Sequence, residues 1–465
     1  MSTYLSRTFS GANTSRKTFT LSFWVKRTLL TTNVAVISAE TTSNFYDAIF
    51  FKSTGEFQLE NVASGSDAVQ VRTNGQFRDP SAWYHIVAAI DTTQASFSNG
   101  VKIYINGVLQ TSFAVSTYNQ DATFEIGRDG STTSIGRRQR DTDMYGIGYL
   151  SDFFYIDGQQ KAATDFGETD STTGIWKPKT YSGTYGNNGF KLEFKNSGAL
   201  GTDTSGNSET FTVNNAGTGA QVVDTPSNVF ATLNPLTGNT QLTSNGYSRG
   251  NTRVNSNVAG VSNSNYLASY SSLGVTAGKW YAEFKITGNL YSSNQTDATT
   301  LIGVGSGIYP FNSNNQNTAV GGFTEWWLDH QDTRVIVDGN VGNTGLASIS
   351  QNDIIGVYLN CDTTMPTVTF HLNGSAVSGA TNSPYNVRRT GMYNIGDNNP
   401  IFFIPVVRYA DGSNNGKVDC NFGNPSYTIA SGNADANGYG NFEYSPTLGG
   451  VNYYSLCTEN LNTYG

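Results

Sequence analysis

At 465 residues the chain has room for about three domains of ~150 residues, or for two large β-sandwiches. Only 13% of its residues are charged, about half the usual share, yet 12% are aromatic, which excludes a disordered chain. A net charge of -8 argues against nucleic acid as a partner, because phosphate binding needs clustered Lys and Arg. No apolar run approaches the ~18 residues of a membrane span, so no membrane insertion is expected. Met1–Arg7 has no apolar core of a signal peptide, so the protein is expected to reach its place by assembly or lysis, or to stay inside the cell. Cys361, Cys420 and Cys457 are odd in number and widely spaced, which fits neither a disulfide framework nor a zinc site. Cys361 and Cys420 fall in one half of the chain and could pair; ordinary buried thiols are the other reading.

Residues 1–175 read as a first β unit. Thr18–Lys26 alternates, with Phe19, Leu21, Phe23 and Val25 on one face and Thr20, Ser22, Trp24 and Lys26 on the other. Ala48–Phe51 and Glu56–Leu59 read as a hairpin about Ser53-Thr54-Gly55. Trp83–Asp91 follows, then Val101–Ile105 running into Asn106-Gly107, the strongest short hairpin signal because type I′ turns need two positive φ angles. Phe124–Arg128 and Gly148–Ile156 complete the set. The succession Trp-Tyr-His-Ile-Val, Ile-Tyr-Ile-Asn-Gly, Glu-Ile-Gly-Arg and Gly-Tyr-Leu-Ser-Asp-Phe-Phe-Tyr-Ile resembles a laminin-G-like (concanavalin-A-like) jelly-roll. That resemblance implies glycan or protein ligands and often a calcium ion, and it brings in glucanases as relatives to be tested.

Residues 176–227 read as a connector. Its strands Asn188–Phe194 and Phe211–Val213 are too few to fold alone and should extend one of the neighbours. A second sandwich is expected over 228–435 and a C-terminal tail over 436–465. Its leading strand is Gly278–Thr287, with Trp280, Ala282, Phe284 and Ile286 on one face and Tyr281, Glu283, Lys285 and Thr287 on the other, the pattern of a half-buried strand. Strands at Asp353–Leu359, Val368–Leu372 (closed by Asn373-Gly374) and Lys417–Gly423 follow. Gly-Lys-Trp-Tyr, Asp-Ile-Ile-Gly-Val, Phe-His-Leu-Asn-Gly and Asn-Phe-Gly, with Leu301–Gly305 as the Ile-Gly-Val-Gly strand, occur in the order that resembles a SPRY domain, a bent β-sandwich that binds partners through loops. Val101–Gly107 and Val368–Gly374 share one hairpin pattern, through distant duplication or, as the differing surroundings favour, convergence. The fold class expected is therefore all-β: two β-sandwich (jelly-roll) domains joined by a short β connector.

The whole order, including the Asp-Thr-Pro-Ser-Asn and Thr-Leu-Asn-Pro junction after the connector, is similar to structural proteins of tailed marine bacteriophages. It departs from them at the Gly/Asn-rich insertion Ile429–Gly440. The resemblance implies a virion-surface location and other virion proteins as partners. Homo-oligomers are expected, built through the β-domains because no heptad repeat is present.

Candidate sites follow from residue chemistry. Retaining β-glucanases on this scaffold carry two Glu flanking an Asp on one strand, and no such motif occurs. Glu325 and Asp329 would share a strand face ~13 Å apart at ~3.3 Å per residue, beyond the ~5–9 Å of a glycosidase pair. Trp326 and Trp327 could stack on a host-surface glycan or fill a partner's pocket, or both could be core. The loop from Arg128 to Asp143 sets Arg137, Arg138 and Arg140 among Asp129, Asp141 and Asp143. The arginines could grip a glycan acid or a subunit, the carboxylates could hold calcium, or the loop could simply compensate its own charge. Asp203 and Asn207 form a second calcium candidate. His85, His330 and His371 are scattered, and neither a nucleophile elbow nor a phosphate-cradling loop is present. The reading expected from these features is a non-enzymatic virion surface protein, a tail-fibre-like adhesin or a head fibre or decoration. A purely architectural subunit stands beside it, and a glucanase-like depolymerase behind both.

Overall fold

The computed structural model describes residues 3–217, 220–236, 246–256, 266–288, 300–306, 323–327, 334–337, 340–387, 399–408 and 416–465. The chain divides into two compact units, Met1–Gln221 with Thr225–Ser227, and Val222–Asp224 with Asn228–Gly465. Both are built almost wholly of antiparallel strands, as the alternating sequence predicts.

The first unit is a concanavalin A-like sandwich. One sheet runs Phe113–Tyr118, Ser66–Gln76, Glu56–Ala63, Phe45–Phe51, Val34–Thr42, Thr132–Ile135, Tyr4–Thr8, Thr212–Asn214. The other runs Phe190–Leu192, Tyr149–Asp157, Thr18–Lys26, Trp83–Asp91, Val101–Ile105, Val108–Leu109. Phe19, Leu21, Phe23 and Val25 meet Ile49, Phe51, Phe57 and Leu59 from the facing sheet in the core. The two connector strands settle here, Phe190–Leu192 pairing with Tyr149–Asp157 and Thr212–Asn214 with Tyr4–Thr8.

Two expectations are corrected in this unit. Phe124–Arg128 is not a strand: the buried Asp47 carboxylate accepts the backbone N–H groups of Glu125 and Ile126, and Arg128 turns back onto the Glu125 carbonyl. A side chain thus supplies the bonds that a ladder would, and the strand forms instead at Thr132–Ile135, between Tyr4–Thr8 and Val34–Thr42. Nor is Thr18–Lys26 half-buried, because Thr20, Ser22, Trp24 and Lys26 are all buried too. Residues 158–185 cross the outer face of their sheet and pack Ala163, Phe166 and Tyr181 against Val87, Phe154 and Ile156.

The second unit repeats the plan. Its larger sheet runs Tyr247–Ser248, Arg253–Asn255, Lys417–Asn421, Lys279–Ile286, Ile354–Asn360, Thr367–Leu372, Ser375–Ala376. The facing sheet runs Tyr266–Ala268, Ile401–Arg408, Thr300–Ser306, Phe323–Trp327, Arg334–Val337, Asn340–Asn343. Trp280, Ala282, Phe284 and Ile286 enter the core as the alternation predicts. Tyr281 and Glu283 are buried as well, so this strand also departs from the half-buried expectation. The chain after Phe422 returns across it: Phe442 and Tyr453 pack on Tyr281 and Tyr358, and Tyr454–Ser455 pairs parallel with Trp280-Tyr281. The insertion Ile429–Gly440 is tied into this cover by Asp435, whose carboxylate accepts from the backbone N–H groups of Asn437, Tyr439 and Ser455 and from the Asn460 amide. A short helix, Thr458–Tyr464, ends the chain. Cys361, Cys420 and Cys457 are buried free thiols, so the pairing of Cys361 with Cys420 does not form.

Candidate functional site

The Arg-rich loop of the first unit does not stand out into solvent. It folds back over the outer face of the eight-stranded sheet and is held there by hydrogen bonds to Ala35 and Ser38. The Ala35 N–H donates to the Met144 carbonyl at 2.8 Å, the Ser38 hydroxyl donates to the Arg137 carbonyl at 3.0 Å, and Ser38 Oγ accepts from the Gln139 N–H at 2.7 Å. Met144 packs on Ala35, Ala48 and Phe50. Thr142 and Met144 take positive φ, which lets the loop double back on itself within a few residues.

The three arginines the sequence groups together are sent to three places. Arg137 lies over the Tyr4 ring at 4.0 Å and donates to the Gln139 side-chain oxygen. Arg140 lies 4.7 Å over the Tyr46 ring. The Tyr46 hydroxyl, buried and bonded to Glu60, has its pKa pushed up to about 12, burial being the larger cause. Arg138 makes a two-pronged pair with Asp143, Nε to Oδ1 and Nη2 to Oδ2, both 2.9 Å, and Nη2 also reaches Asp141 at 2.6 Å. Arg138 also lines an open groove.

That groove, about 610 Å³, is lined by Thr31, Thr32, Asn33 and Ser53 together with Arg138, Asp143, Met144 and Tyr145. Its volume falls in the range of small-ligand sites. Its walls are stiffened from below. Asn33 Oδ1 accepts the Ser53 N–H at 2.9 Å, joining the two turns. The buried Arg27 guanidinium donates to the Phe77, Leu29 and Lys52 carbonyls and lies 4.8 Å over the Phe51 ring. Burial draws its pKa down to about 10, and the carbonyls substitute for water around the charge. Hydroxyl and amide groups, one ion pair and a tyrosine edge make a surface suited to a polyhydroxylated ligand. Sequence reasoning singled out Arg138 and Asp143 but missed Thr31, Thr32, Asn33, Ser53 and Tyr145. Thr31, Thr32, Asn33 and Ser53 come from turns far from Arg138 in the chain, and none of the five carries a local motif.

The remaining candidates have other placements. Trp326 and Trp327 lie in Phe323–Trp327, flanked on both sides by strands; their side chains, and Asp329 and His330, lie outside the described residues. Asp129 is exposed and bridges to Phe9. Asp141 and Asp143 are taken by Arg138. The Asp203 carboxylate accepts the backbone N–H groups of Lys191, Ser205 and Glu209, and the Asn207 amide donates to the Gly186 and Gly189 carbonyls. Both residues thus close the connector's own loop. Among the described residues no three His, Cys, Asp or Glu side chains gather to hold a metal ion.

Buried reactive groups elsewhere are committed to structure. Ser22 Oγ lies 2.9 Å from His85 Nε2, the spacing of a nucleophile and its base. Trp176 Nε1, which can only donate, bonds His85 Nδ1 at 2.9 Å, so Nδ1 is the acceptor and the proton sits on Nε2. His85 therefore donates to Ser22 and cannot take its proton. Burial draws the imidazole pKa down to about 3, keeping it neutral. Burial pushes the Asp47 carboxyl up to about 7 against the bonds it accepts from Asn61, Glu125 and Ile126. It also raises Glu283, which accepts from Tyr281, Asn421, Tyr427 and the backbone N–H groups of Glu443 and Tyr444. None of these groups reaches solvent, where a substrate would have to meet it.

Comparison with known proteins places the first unit. Comparison with curated proteins finds none that matches the chain. Similar solved structures include the SPRY domain of human HERC1, with 16% identity, a TM-score of 0.27, and coverage of 40% of this chain and 96% of that one. A heptameric SAP-like pentraxin from Limulus polyphemus has 18% identity and a TM-score of 0.26, over 34% of this chain and 71% of that one. A protein from Bacteroides ovatus, named as a candidate carbohydrate-binding protein, has 15% identity and a TM-score of 0.29, over 46% of this chain and 56% of that one. Residues 3–153 match the laminin G family model described as the concanavalin A-like lectin/glucanases superfamily, so the first unit carries a domain of that kind.

Proposed function

We propose that this chain is a non-catalytic surface protein of a bacteriophage virion, a tail-fibre-like adhesin or a head fibre or decoration, that recognises host glycans through the loops of its first sandwich. The observation that carries the reading is the polar groove at Arg138, Asp143 and Tyr145, open to solvent where the Arg-rich loop covers the eight-stranded sheet of a concanavalin A-like domain. The carboxylates a glycosidase would need fit the enzyme reading poorly. Asp47 and Glu283 are enclosed, and the one carboxylate in the groove, Asp143, is held by Arg138. The virion setting rests on the order of the sequence motifs across both halves.

Other virion proteins and further copies of the chain are the second set of partners in this reading. Val108 and Leu109, on a sheet-edge strand, are 64% and 43% exposed, and an exposed apolar edge favours assembly. Three measurements test the proposal. Antibody labelling of purified particles should place the chain on the virion surface. A glycan panel should show saturable binding, and incubation with the bound polysaccharides should release no reducing ends. Reducing-end release would establish the depolymerase instead, and folded protein on the particle that binds no glycan would leave the architectural subunit.

A further inference from the structure

Resting on that glycan-binding reading, we infer that the groove between the 31–33 turn, Ser53 and the Arg138–Asp143 pair selects neutral sugars bearing vicinal hydroxyls, and that it does so without calcium. The charges in the groove wall are one guanidinium and one carboxylate in two-pronged contact, both partners at 2.9 Å. Their sum is zero, and Asp141 adds a second negative charge to the same arginine. An anionic sugar gains no net attraction there unless it displaces Asp143 from a paired geometry that is already satisfied. A neutral diol needs no displacement. Arg138 spends Nε and Nη2 on the aspartates, and its Nη1 donates to no described residue. The Asp143 side chain is 46% exposed and keeps lone pairs toward solvent. Nη1 and the Asp143 carboxylate thus offer one donor and one acceptor on neighbouring side chains, the complement of two adjacent hydroxyls, one accepting and one donating.

The uncharged lining continues that pattern with Thr32, Asn33 and Ser53, all hydroxyl or amide residues. Tyr145, tilted 60° against Tyr4 with ring centroids 6.1 Å apart, supplies the one aromatic edge. Calcium has no place in this scheme, since Asp141 and Asp143, the carboxylates that could bind it, are the ones neutralised by Arg138.

The test uses the full chain and three sets of probes: neutral trisaccharides of mannose, galactose and glucose; their partly O-methylated forms with one hydroxyl of each vicinal pair blocked; and acidic glycans, sialyllactose and oligogalacturonate. Each is titrated with and without EDTA. The expected result is saturable binding of at least one neutral trisaccharide, unchanged by EDTA and weakened about tenfold or more by methylation. Ser53→Trp, which fills the groove but leaves the Ser53 N–H to Asn33 in place, should abolish it. Asp143→Asn should weaken it and shift preference toward the acidic glycans, with a circular dichroism spectrum like the parent's showing that the fold survives. Preference of the parent for acidic glycans, loss of binding in EDTA, or full binding by Ser53→Trp would overturn the inference while leaving glycan recognition standing. No binding of any glycan would sink both.

Discussion

The two units use the same hairpin and finish it differently. In the first, Asn106 donates its N–H to the His85 carbonyl at 2.8 Å and accepts the His85 N–H on its side-chain oxygen at 2.7 Å. In the second, Asn373 does the same with Ile354, both bonds 2.9 Å. Each Asn is followed by a glycine at positive φ, Gly107 or Gly374, and each glycine supports an aromatic ring of the segment crossing the outer sheet face. An added Cβ would come within 2.8 Å of the Trp176 ring at Gly107 and within 2.4 Å of the Tyr444 ring at Gly374. Beneath those rings the chemistry diverges. The first cover closes on a neutral imidazole lying between Trp24, 4.7 Å away, and Trp176, 6.0 Å away. The second closes on the Glu283 carboxylate and its five donors. One hairpin thus serves an aromatic seal in one unit and a hydrogen-bonded one built on a carboxyl group in the other. A shared turn is therefore weak evidence that the two halves share an origin.

The largest effect expected is at the Glu283 seal. Glu283→Ala removes the acceptor for two backbone N–H groups, two tyrosine hydroxyls and the Asn421 amide, in a site where water does not replace it. The second unit should lose on the order of 4 kcal/mol. Hydrogen exchange read by mass spectrometry should show residues 440–457 opening first, with the first unit's peptides unchanged. Exchange that stayed at parental rates in 440–457 would mean that the aromatic contacts of Phe442 and Tyr453 hold the cover without the carboxylate.

Next in size, Gly374→Ala and Gly107→Ala each place a Cβ at positive φ against a ring, and each should cost on the order of 2 kcal/mol in its own unit. Gly374→Ala should be the worse of the two, because its contact is the closer. Equal costs would show that the turn conformation, rather than the ring above it, sets the penalty.

These hairpins were legible in the sequence because Asn-Gly between apolar runs is a local signal, and the strands with cleanly alternating apolar residues were legible for the same reason. The covers were not. Thr20, Ser22, Tyr281 and Glu283 read as solvent-facing because each is polar and alternates with apolar neighbours. They are buried because residues distant in the chain bring them partners, as Gln159 does for the Thr20 hydroxyl and Tyr444 for Glu283. Phe124–Arg128 misled in the reverse way, a stretch alternating Phe124 and Ile126 with polar residues whose ladder is replaced by one buried carboxylate, Asp47. The groove was half legible. Arg138 and Asp143 stood out as charges in a loop, whereas Thr32, Asn33 and Ser53 are ordinary turn residues that gain meaning only when the sheet brings three turns together.

The effect expected to be smallest over any one pH unit, a slope of at most about 1.4 kcal/mol per unit rather than a loss at fixed pH, separates the two seals by sign. His85 has its pKa lowered from 6.5 to about 3, so the folded first unit refuses a proton that the unfolded chain accepts. Its contribution is complete above the unfolded value near 6.5 and is lost as pH falls toward 3, at up to about 1.4 kcal/mol per pH unit. Glu283 is raised above its ordinary 4.5, so the folded second unit keeps a proton that the unfolded chain gives up, and that unit weakens as pH rises past 4.5. As pH rises past 4.5 the two covers should therefore respond in opposite directions, the first gaining and the second losing stability. Hydrogen exchange in peptides from 158–185 and from 440–457, corrected for the intrinsic pH dependence of exchange, reads each separately. His85→Gln should flatten the first response and leave the second as it was. The indole of Trp176 would then face an amide that can still accept its hydrogen bond but cannot acquire a charge, so the cover should stay seated through the acid range in which the parent's loosens.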